Sequence, residues 1–313
     1  MKELRFDVKS GKWLGIVNGK CIARSTSKYY VQRCIDGQSP NKGPIATPKY
    51  AVNPDIAEVS DITTPKVEEF GINQRFAFVE QMITMVCKKT LPSAVITGDG
   101  GLGKSYTVIK SLTDNDYADI TDLAGFEIGT KLNLTKAYRV VKGYSTAKGL
   151  YRTLFECNNM CIVFDDCDSI LKDPVALNIL KGALDSYSKR YISWNADMRD
   201  DDLPKCFEFT GQVIFISNMK LDRIDQAVRS RALCVDLAMT QLQKVERMEV
   251  IALADEFLPE VSDIAKSQAL QFIKDNINSV VNLSLRTLIA VAKIADSNSN
   301  WKDLSKYAIT QGA

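Results

Sequence analysis

The sequence of 313 residues contains no histidine and no pair of cysteines with C-x-x-C spacing. Histidine and closely spaced cysteines are the usual ligands of protein-bound zinc. The eight cysteines are scattered, and several lie in apolar segments such as residues 160–164, where buried, reduced thiols are expected. Because zinc ligands would have to come from distant segments, the sequence does not indicate a zinc-binding protein.

Long apolar runs are also missing. No segment approaches the roughly 20 consecutive apolar residues that cross a bilayer. The first five residues include three charged ones instead of the apolar core of a signal peptide. We therefore expect a cytoplasmic protein without membrane contact. With 45% hydrophobic and 25% charged residues, the chain has enough apolar side chains for roughly two globular domains.

A strong excess of one charge is absent, because the net charge is only +2. The charges are nevertheless unevenly distributed. Residues 1–35 contain eight basic and two acidic residues, so the rest of the chain is acidic in sum. This distribution predicts that a polyanion-binding surface, if the protein has one, lies in the N-terminal module.

The N-terminal module, residues 1–36, is predicted to form a small basic β-hairpin-plus-helix unit. Hydrophobic residues alternate loosely over 4–18, and Asn18-Gly19 is a strong signal for a two-residue hairpin turn. Residues 37–65 contain five prolines and no sustained hydrophobic period. Such a segment is typical of a linker or a strap over the next domain.

Residues 66–238 are predicted to form an α/β domain, because short apolar strand patterns alternate with helical patterns. Strands are predicted at 94–97, 138–141, 161–164, 212–217 and 233–237, and helices at 70–89, from 104 onward, and at 147–156, 174–187 and 222–231. This alternation predicts a parallel sheet with helices on both faces. Residues 239–313 are predicted to form a separate helical domain, with helices at 240–257, 262–275, 284–297 and 300–310.

A phosphate-binding motif directly follows the first of these strands. The pattern G-x-x-x-x-G-K-[ST] is matched in a strand, loop and helix context, and the predicted nucleotide-binding residues are Gly98, Asp99, Gly100, Gly101, Leu102, Gly103, Lys104, Ser105 and Tyr106. Glycines allow backbone N–H groups to turn toward phosphate oxygens, and the helix directs its positive end at them. Lys104 is expected to reach the β- and γ-phosphates of ATP, and Ser105 to bind Mg²⁺.

A pair of carboxylates, Asp165 and Asp166, follows the apolar strand 161–164. Asp165 is placed to hold Mg²⁺, together with Ser105. Asp166 is placed to polarise the water molecule that attacks the γ-phosphate. The combination with the phosphate-binding motif favours a catalytic pair over a merely solvated acidic turn.

The order of these features resembles that of the AAA+ superfamily of P-loop ATPases over about residues 66–310. The resemblance implies that Asn218, at the end of a strand, occupies the sensor-1 position and orients the attacking water. Arg231, or as second choice Arg229, resembles the arginine finger that enters the nucleotide site of a neighbouring subunit. Arg286 resembles the sensor-2 arginine, which reaches from the helical lid to the γ-phosphate.

The resemblance further implies ATP hydrolysis in an assembly of several copies, either a ring such as a hexamer or an arc. Many AAA+ proteins have glutamate at the position of Asp166. The shorter side chain retracts the carboxylate by one methylene, so slow turnover is expected.

Two further segments leave alternatives open. Residues 191–194 and 207–210, joined by an acidic loop at 197–202, form either a hairpin inserted before the sensor-1 strand or a plain extra edge strand. After the second core strand, Tyr144 either lies on an exposed loop that grips a protein substrate or packs in the domain.

The biological role also has alternatives. The N-terminal module resembles the small sheet-plus-helix DNA-binding domains of phage integrases. The resemblance implies DNA contacts by Lys12, Trp13, Lys20 and Arg24. It favours a phage or mobile-element protein of the initiator, helicase-loader or clamp-loader kind. The alternatives are a protein-remodelling ATPase of the chaperone or unfoldase kind, with a protein partner, and a nucleotide-dependent sensor.

Overall fold

The computed structural model describes residues 2–7, 12–25, 28–36, 70–122, 132, 134–195 and 203–312. The chain divides into two compact units, residues 1–64 and 65–313. The predicted linker at 37–65 and the acidic loop at 197–202 lie outside the described residues. None of the helices within the described ranges is long and apolar enough to cross a membrane.

The N-terminal unit contains a three-stranded antiparallel sheet and one helix. Its elements, in chain order, are β1 (Lys2–Asp7), β2 (Lys12–Val17), β3 (Lys20–Ser25) and α1 (Lys28–Ile35). β2 is the central strand, and Asn18 and Gly19, both with positive φ, form the predicted turn to β3. Gly15 is buried under α1, where an added Cβ would lie 2.9 Å from Val31. Glycine is therefore needed for α1 to pack closely on β2.

The second unit is built on a six-stranded parallel sheet. Its strands are β4 (Ser93–Thr97), β5 (Ala118–Asp119), β6 (Ala137–Lys142), β7 (Cys161–Asp165), β10 (Gln212–Ser217) and β11 (Leu233–Asp236). They lie in the order β11-β4-β10-β7-β6-β5. The helices of this domain are α2 (Ile72–Cys87), α3 (Lys104–Asp114), α4 (Ala147–Glu156), α5 (Asp168–Lys172), α6 (Pro174–Ala183) and α7 (Gln226–Arg229).

Both faces of the sheet are buried, as its alternation with helices predicts. Along β10, Val213 and Phe215 belong to one apolar cluster, which includes α4 and α6. Ile214 and Ile216 belong to a second cluster, which includes α2 and α3. Because successive side chains of a strand point to opposite faces, this uninterrupted apolar strand fills two cores at once. The carboxyl ends of β4, β7 and β10 are thereby held side by side.

A helical region follows β11. It contains α8 (Gln241–Ala252), α9 (Asp263–Asp275), α10 (Leu285–Ser297) and α11 (Trp301–Gln311). Their inward side chains form a third apolar cluster, which includes Met248, Ile273 and Val291. Thr240 and Gln243 form a capping box at the start of α8. The N-cap residue Thr240 lies four residues after Asp236, the last residue of β11.

Several boundaries differ from the sequence-based prediction. The helix predicted at 174–187 ends at Ala183, because the following segment contains serines and Asp185, whose carboxylate accepts a hydrogen bond from the Ser186 N–H. The helix predicted to reach 257 ends at Ala252. The segment 222–231, predicted to be one helix, instead contains a 3₁₀ turn, Leu221–Arg223, followed by the four-residue α7. The short helix α5 and the strand β5 were not predicted.

The segment before β10 adopts the hairpin alternative. Its strands, β8 (Tyr191–Ser193) and β9 (Cys206–Glu208), pair antiparallel and form a two-stranded sheet separate from the parallel one. Ile192 lies opposite Phe207, and Phe207 packs edge-on against Tyr151 of α4. The hairpin is therefore attached to the apolar layer on one face of the sheet.

Candidate functional site

The loop between β4 and α3 has a backbone that requires glycine at three positions. Gly98, Gly101 and Gly103 have φ angles of 137°, 73° and 91°. A Cβ on Gly98 would also lie only 2.8 Å from the carbonyl carbon of Leu237. Residues other than glycine rarely adopt these backbone angles. The loop therefore depends on its glycines for its shape, as expected of a phosphate-binding loop.

The ammonium of Lys104 lies at the centre of this loop. The side chain is almost fully buried, and its Nζ donates to the backbone oxygens of Gly98 (2.8 Å) and Asp99 (2.7 Å) and to Oδ1 of Asn218 (2.9 Å). Burial lowers the pKa of Lys104, whereas the carboxylates of Asp166 and Asp165 oppose that shift. The site thus holds a positive charge in an environment poor in water, where an anionic ligand is bound most strongly.

Ser105 and Asp165, the two residues predicted to bind Mg²⁺, lie together. The Ser105 hydroxyl donates to Oδ1 of Asp165 over 3.0 Å. Asp165 is 6% exposed, and its Oδ2 lies 3.7 Å from Nζ of Lys142. In the described part of the chain no three histidine, cysteine or acidic side chains are grouped for metal binding. The donor set is one hydroxyl and one carboxylate, which suits Mg²⁺ when phosphate and water oxygens complete its coordination.

Asp166 and Asn218 form the next part of the site. Asn218 Nδ2 donates to Oδ1 of Asp166 over 2.7 Å, while its own Oδ1 faces Lys104. Asp166 has a φ of 56°, and its N–H donates to the backbone oxygen of Ile216. Partial burial and the neighbouring Asp165 raise the pKa of Asp166. A carboxylate with a raised pKa beside a polar amide is suited to accept a proton from water.

Arg286 reaches this site from α10. The N–H of Leu285 donates to the backbone oxygen of Gly101 over 2.8 Å, which holds the start of α10 against the loop. A cavity of about 250 Å³ lies between these parts. It is lined by Gly100, Gly101, Gly103, Lys104, Ser105, Tyr106, Asp165, Asp166, Ile216, Asn218 and Arg286.

Three of the predicted nucleotide-binding residues do not line this cavity. These residues are Gly98, Asp99 and Leu102. The Leu102 side chain is buried, and the backbone oxygens of Gly98 and Asp99 accept hydrogen bonds from Lys104. The Asp99 carboxylate instead forms an ion pair of 3.0 Å with Lys244 of α8. Asp99 therefore ties the loop to the helical region.

A second and larger cavity shares Gly103 and Tyr106 with the first. Its volume is about 580 Å³, and it lies among α3, α8 and α10. The apolar residues Val250, Ile251, Ala254, Phe257, Leu285 and Ile289 form much of its wall. At its rim the Tyr106 hydroxyl donates to Glu256, which also pairs with Lys110 over 2.8 Å. The sequence did not predict this cavity, because side chains from separate helices form it and no local motif marks them.

The two arginine candidates do not line the cavities around the phosphate loop of their own chain. Arg231 is half-buried, and its guanidinium donates to the backbone oxygen of Ala227 over 3.1 Å. Arg229 is exposed, with Nε donating to the backbone oxygen of Ile224. Both arginines therefore lie outside the lining of these cavities.

The nucleic-acid candidates of the N-terminal unit do not share one face of the sheet. Gly15 lies under α1, and Trp13, two residues earlier in β2, lies on the same face and is half-buried. Lys12 is exposed and belongs to the opposite face, while Lys20 is exposed beside the hairpin turn. The side chain of Arg24 lies outside the described part of the structure. Strand alternation therefore places Trp13 and Lys12 on opposite faces of the sheet.

The loop after β6 presents an aromatic side chain to solvent. Tyr144 is 82% exposed and follows Gly143, which has a φ of 88°. Ser145 is fixed by reciprocal hydrogen bonds with Ser169 of α5. Of the two alternatives for Tyr144, packing in the domain is therefore excluded.

Comparison with known proteins shows a similarity to a phage protein. No protein-family model matches the chain. Over 254 residues the chain is 28% identical to the "Uncharacterized 36.7 kDa protein in nrdC-mobD intergenic region" of Enterobacteria phage T4. The match covers 75% of this chain and 73% of the phage protein. The chain is thus similar to a phage protein whose description names no activity.

Proposed function

We propose that this protein is an AAA+-type ATPase that binds ATP with Mg²⁺ at the cavity formed by the phosphate loop. The observation that carries the proposal is the meeting of Lys104, Ser105, Asp165, Asp166 and Asn218 at the carboxyl ends of three adjacent parallel strands. Ligands bind at this edge of open α/β sheets. A glycine loop leading into a helix further favours a phosphate ligand.

The chain's own residues divide the chemistry among them. Lys104 would exchange its bonds to the loop carbonyls and Asn218 for bonds to the β- and γ-phosphate oxygens. Ser105 and Asp165 would hold Mg²⁺, which when bound neutralises phosphate charge. Asn218 would orient a water molecule, and Asp166 would accept its proton as the water oxygen bonds to the γ-phosphorus. The bond from that phosphorus to the bridging oxygen breaks, which releases ADP and inorganic phosphate.

The larger cavity supports a purine nucleotide as the ligand. It continues from the phosphate site through Gly103 and Tyr106 and has apolar walls from α8 and α10. Its volume of about 580 Å³ lies within the range of pockets that bind small molecules. Tyr106 and Ile251 are among the residues that would hold the adenine of ATP. The helical region would then act as a lid that senses the bound nucleotide.

The position of the arginines supports the proposal that several copies assemble into a ring or an arc. Arg229 and Arg231 lie on and just after α7, away from their own nucleotide cavity. An arginine supplied by a neighbouring copy would stabilise the charge that develops on the γ-phosphate. Hydrolysis would then require contact between subunits.

For the biological role, we favour a DNA-associated motor or switch of the initiator or helicase-loader type. Its support is the basic N-terminal unit with exposed Lys12 and Lys20, together with the similarity to a phage protein. A protein-remodelling ATPase is the second candidate. The exposed Tyr144 favours it, since an aromatic side chain on a loop beside the nucleotide site can grip a polypeptide.

The direct test of the proposed activity is phosphate release by the purified full-length chain. With ATP and Mg²⁺, the rate per chain should rise with protein concentration as copies assemble, and EDTA should abolish it. Addition of single-stranded DNA, double-stranded DNA or an unfolded protein then separates the biological roles. No nucleotide-dependent phosphate release under any of these conditions would contradict the ATPase proposal.

A further inference from the structure

Lys142 is a charged residue beside Asp165, and no sequence motif includes it. It is the last residue of β6 and lies opposite Asp165 of β7 in the register of the parallel sheet. Its Nζ is 3.7 Å from Oδ2 of Asp165, while Ser105 occupies the other oxygen, Oδ1. The two oxygens of this carboxylate thus face different partners.

The burial of Asp165 explains why a cation is needed beside it. Only 9% of its side chain is exposed, and an ionised carboxylate loses most of its hydration at such a position. The nearby carboxylates of Asp166 and Asp168 add negative charge. Lys104 is also close, but its hydrogen bonds go to the loop and to Asn218. Among the described residues, Lys142 forms the ion pair with Asp165.

The two partners differ in their freedom to move. The side chain of Lys142 is 72% exposed, in contrast to that of Asp165. The backbone of Lys142 is fixed because β6 pairs with β7. The chain beyond Gly143 is held by the hydrogen bonds between Ser145 and Ser169. The ammonium can therefore leave Asp165 by rotation of its own side chain, without movement of the sheet.

We propose that Lys142 is the resident counter-ion of Asp165, which gives way when Mg²⁺ binds and so sets the Mg²⁺ concentration at which the nucleotide site fills. This inference rests on the proposed ATPase function. An ammonium close to a divalent cation is repelled by it, so the pair and the metal compete for one carboxylate. Removing the lysine charge should strengthen Mg²⁺ binding.

The test compares Lys142→Gln with Lys142→Arg and with Lys136→Gln. Lys136 is a matched control, because it precedes the same strand and pairs with Asp116 on the surface. Binding of a fluorescent ATP analogue is measured during titration with Mg²⁺. We expect the half-saturating Mg²⁺ concentration to fall by roughly two- to fivefold in Lys142→Gln, as for loss of one partly screened charge pair. Lys142→Arg and Lys136→Gln should match the wild type.

A second measurement uses the wild-type protein, so it does not depend on the folding of a variant. Acylation of lysine amines, mapped by mass spectrometry, should increase at Lys142 but not at Lys136 when Mg²⁺ and ATP are added. If Lys142→Gln binds nucleotide with wild-type affinity but needs as much Mg²⁺ as the wild type, or more, the proposed role of Lys142 is overturned. The proposed ATPase function is then unaffected. Absence of Mg²⁺-dependent nucleotide binding in the wild type overturns both this role and the proposed function.

Discussion

Replacement of Asp166 by asparagine should stop ATP hydrolysis while leaving the fold and ATP binding intact. The carboxylate is the proposed proton acceptor, and general-base catalysis contributes roughly 10²- to 10⁴-fold to a rate. Its loss therefore corresponds to about 3–5 kcal/mol in the activation barrier. Asp165 and Ser105, which would hold the metal, are untouched by the change. We expect a slow variant that accumulates bound ATP.

The structure also predicts the effect of this substitution on stability. Asp166 has a φ of 56°, and asparagine tolerates left-handed backbone better than most residues. The amide oxygen of asparagine can still accept the hydrogen bond from Asn218. Because the pKa of Asp166 is raised in the folded chain, its ionisation destabilises the fold as pH rises from the ordinary aspartate value through the raised one. Asp166→Asn removes this effect, so its melting temperature at neutral pH should equal or exceed that of the wild type.

Asp166→Ala is the matched comparison. Alanine lacks the acceptor for Asn218 and is strained at positive φ, at a cost of about 1–2 kcal/mol. Phosphate release, binding of a fluorescent ATP analogue and thermal unfolding are measured for all three proteins. The wild-type rate should fall as the pH is lowered through the raised pKa of Asp166, whereas the residual rate of Asp166→Asn should not. The expected loss of rate is far larger than about threefold. If Asp166→Asn turns over ATP within about threefold of the wild-type rate, the proposed role of Asp166 as proton acceptor is refuted.

The remaining predictions concern partners. Arg231→Ala should bind ATP normally, lose hydrolysis and inhibit mixed assemblies with the wild type. A defect in nucleotide binding at low protein concentration would contradict a role between subunits and leave Arg229 as the candidate. Removal of residues 1–35 should abolish salt-sensitive DNA binding but not ATP binding, and Lys12→Ala should lower the slope of log affinity against log salt by about one. DNA affinity that survives the truncation would move the DNA site to the second unit.

The parallel sheet and the glycine loop between β4 and α3 could be predicted because their signals are local. A short apolar strand such as 212–217 can be buried on both faces of a sheet, and glycines at 98, 101 and 103 indicate a loop with positive φ. Once the strands are parallel, their carboxyl ends lie at one edge. Asp165 and Asn218 are then expected to lie near Lys104, and they do.

What the sequence did not predict depends on contacts between distant segments. Tyr106 and Glu256, which meet at the rim of the larger cavity, are 150 residues apart. The pair of Lys142 and Asp165 depends on the register of two strands, which no motif specifies. The face of Trp13 follows from the position of Gly15 under α1, a packing contact that loose alternation in sequence did not reveal.

The central claim is that Lys104 binds the phosphates of ATP, and equilibrium binding of ATP with Mg²⁺ tests it most directly. Lys104→Met is compared by calorimetry with Lys266→Met, because both lysines are 5% exposed and Lys266 lies in α9, outside the nucleotide cavity. Loss of a buried charged partner costs about 2–5 kcal/mol of binding, so Lys104→Met should raise the Kd for ATP by at least roughly 30-fold. Lys266→Met should leave the Kd unchanged. Equal ATP affinity in folded Lys104→Met and wild-type protein would contradict the account.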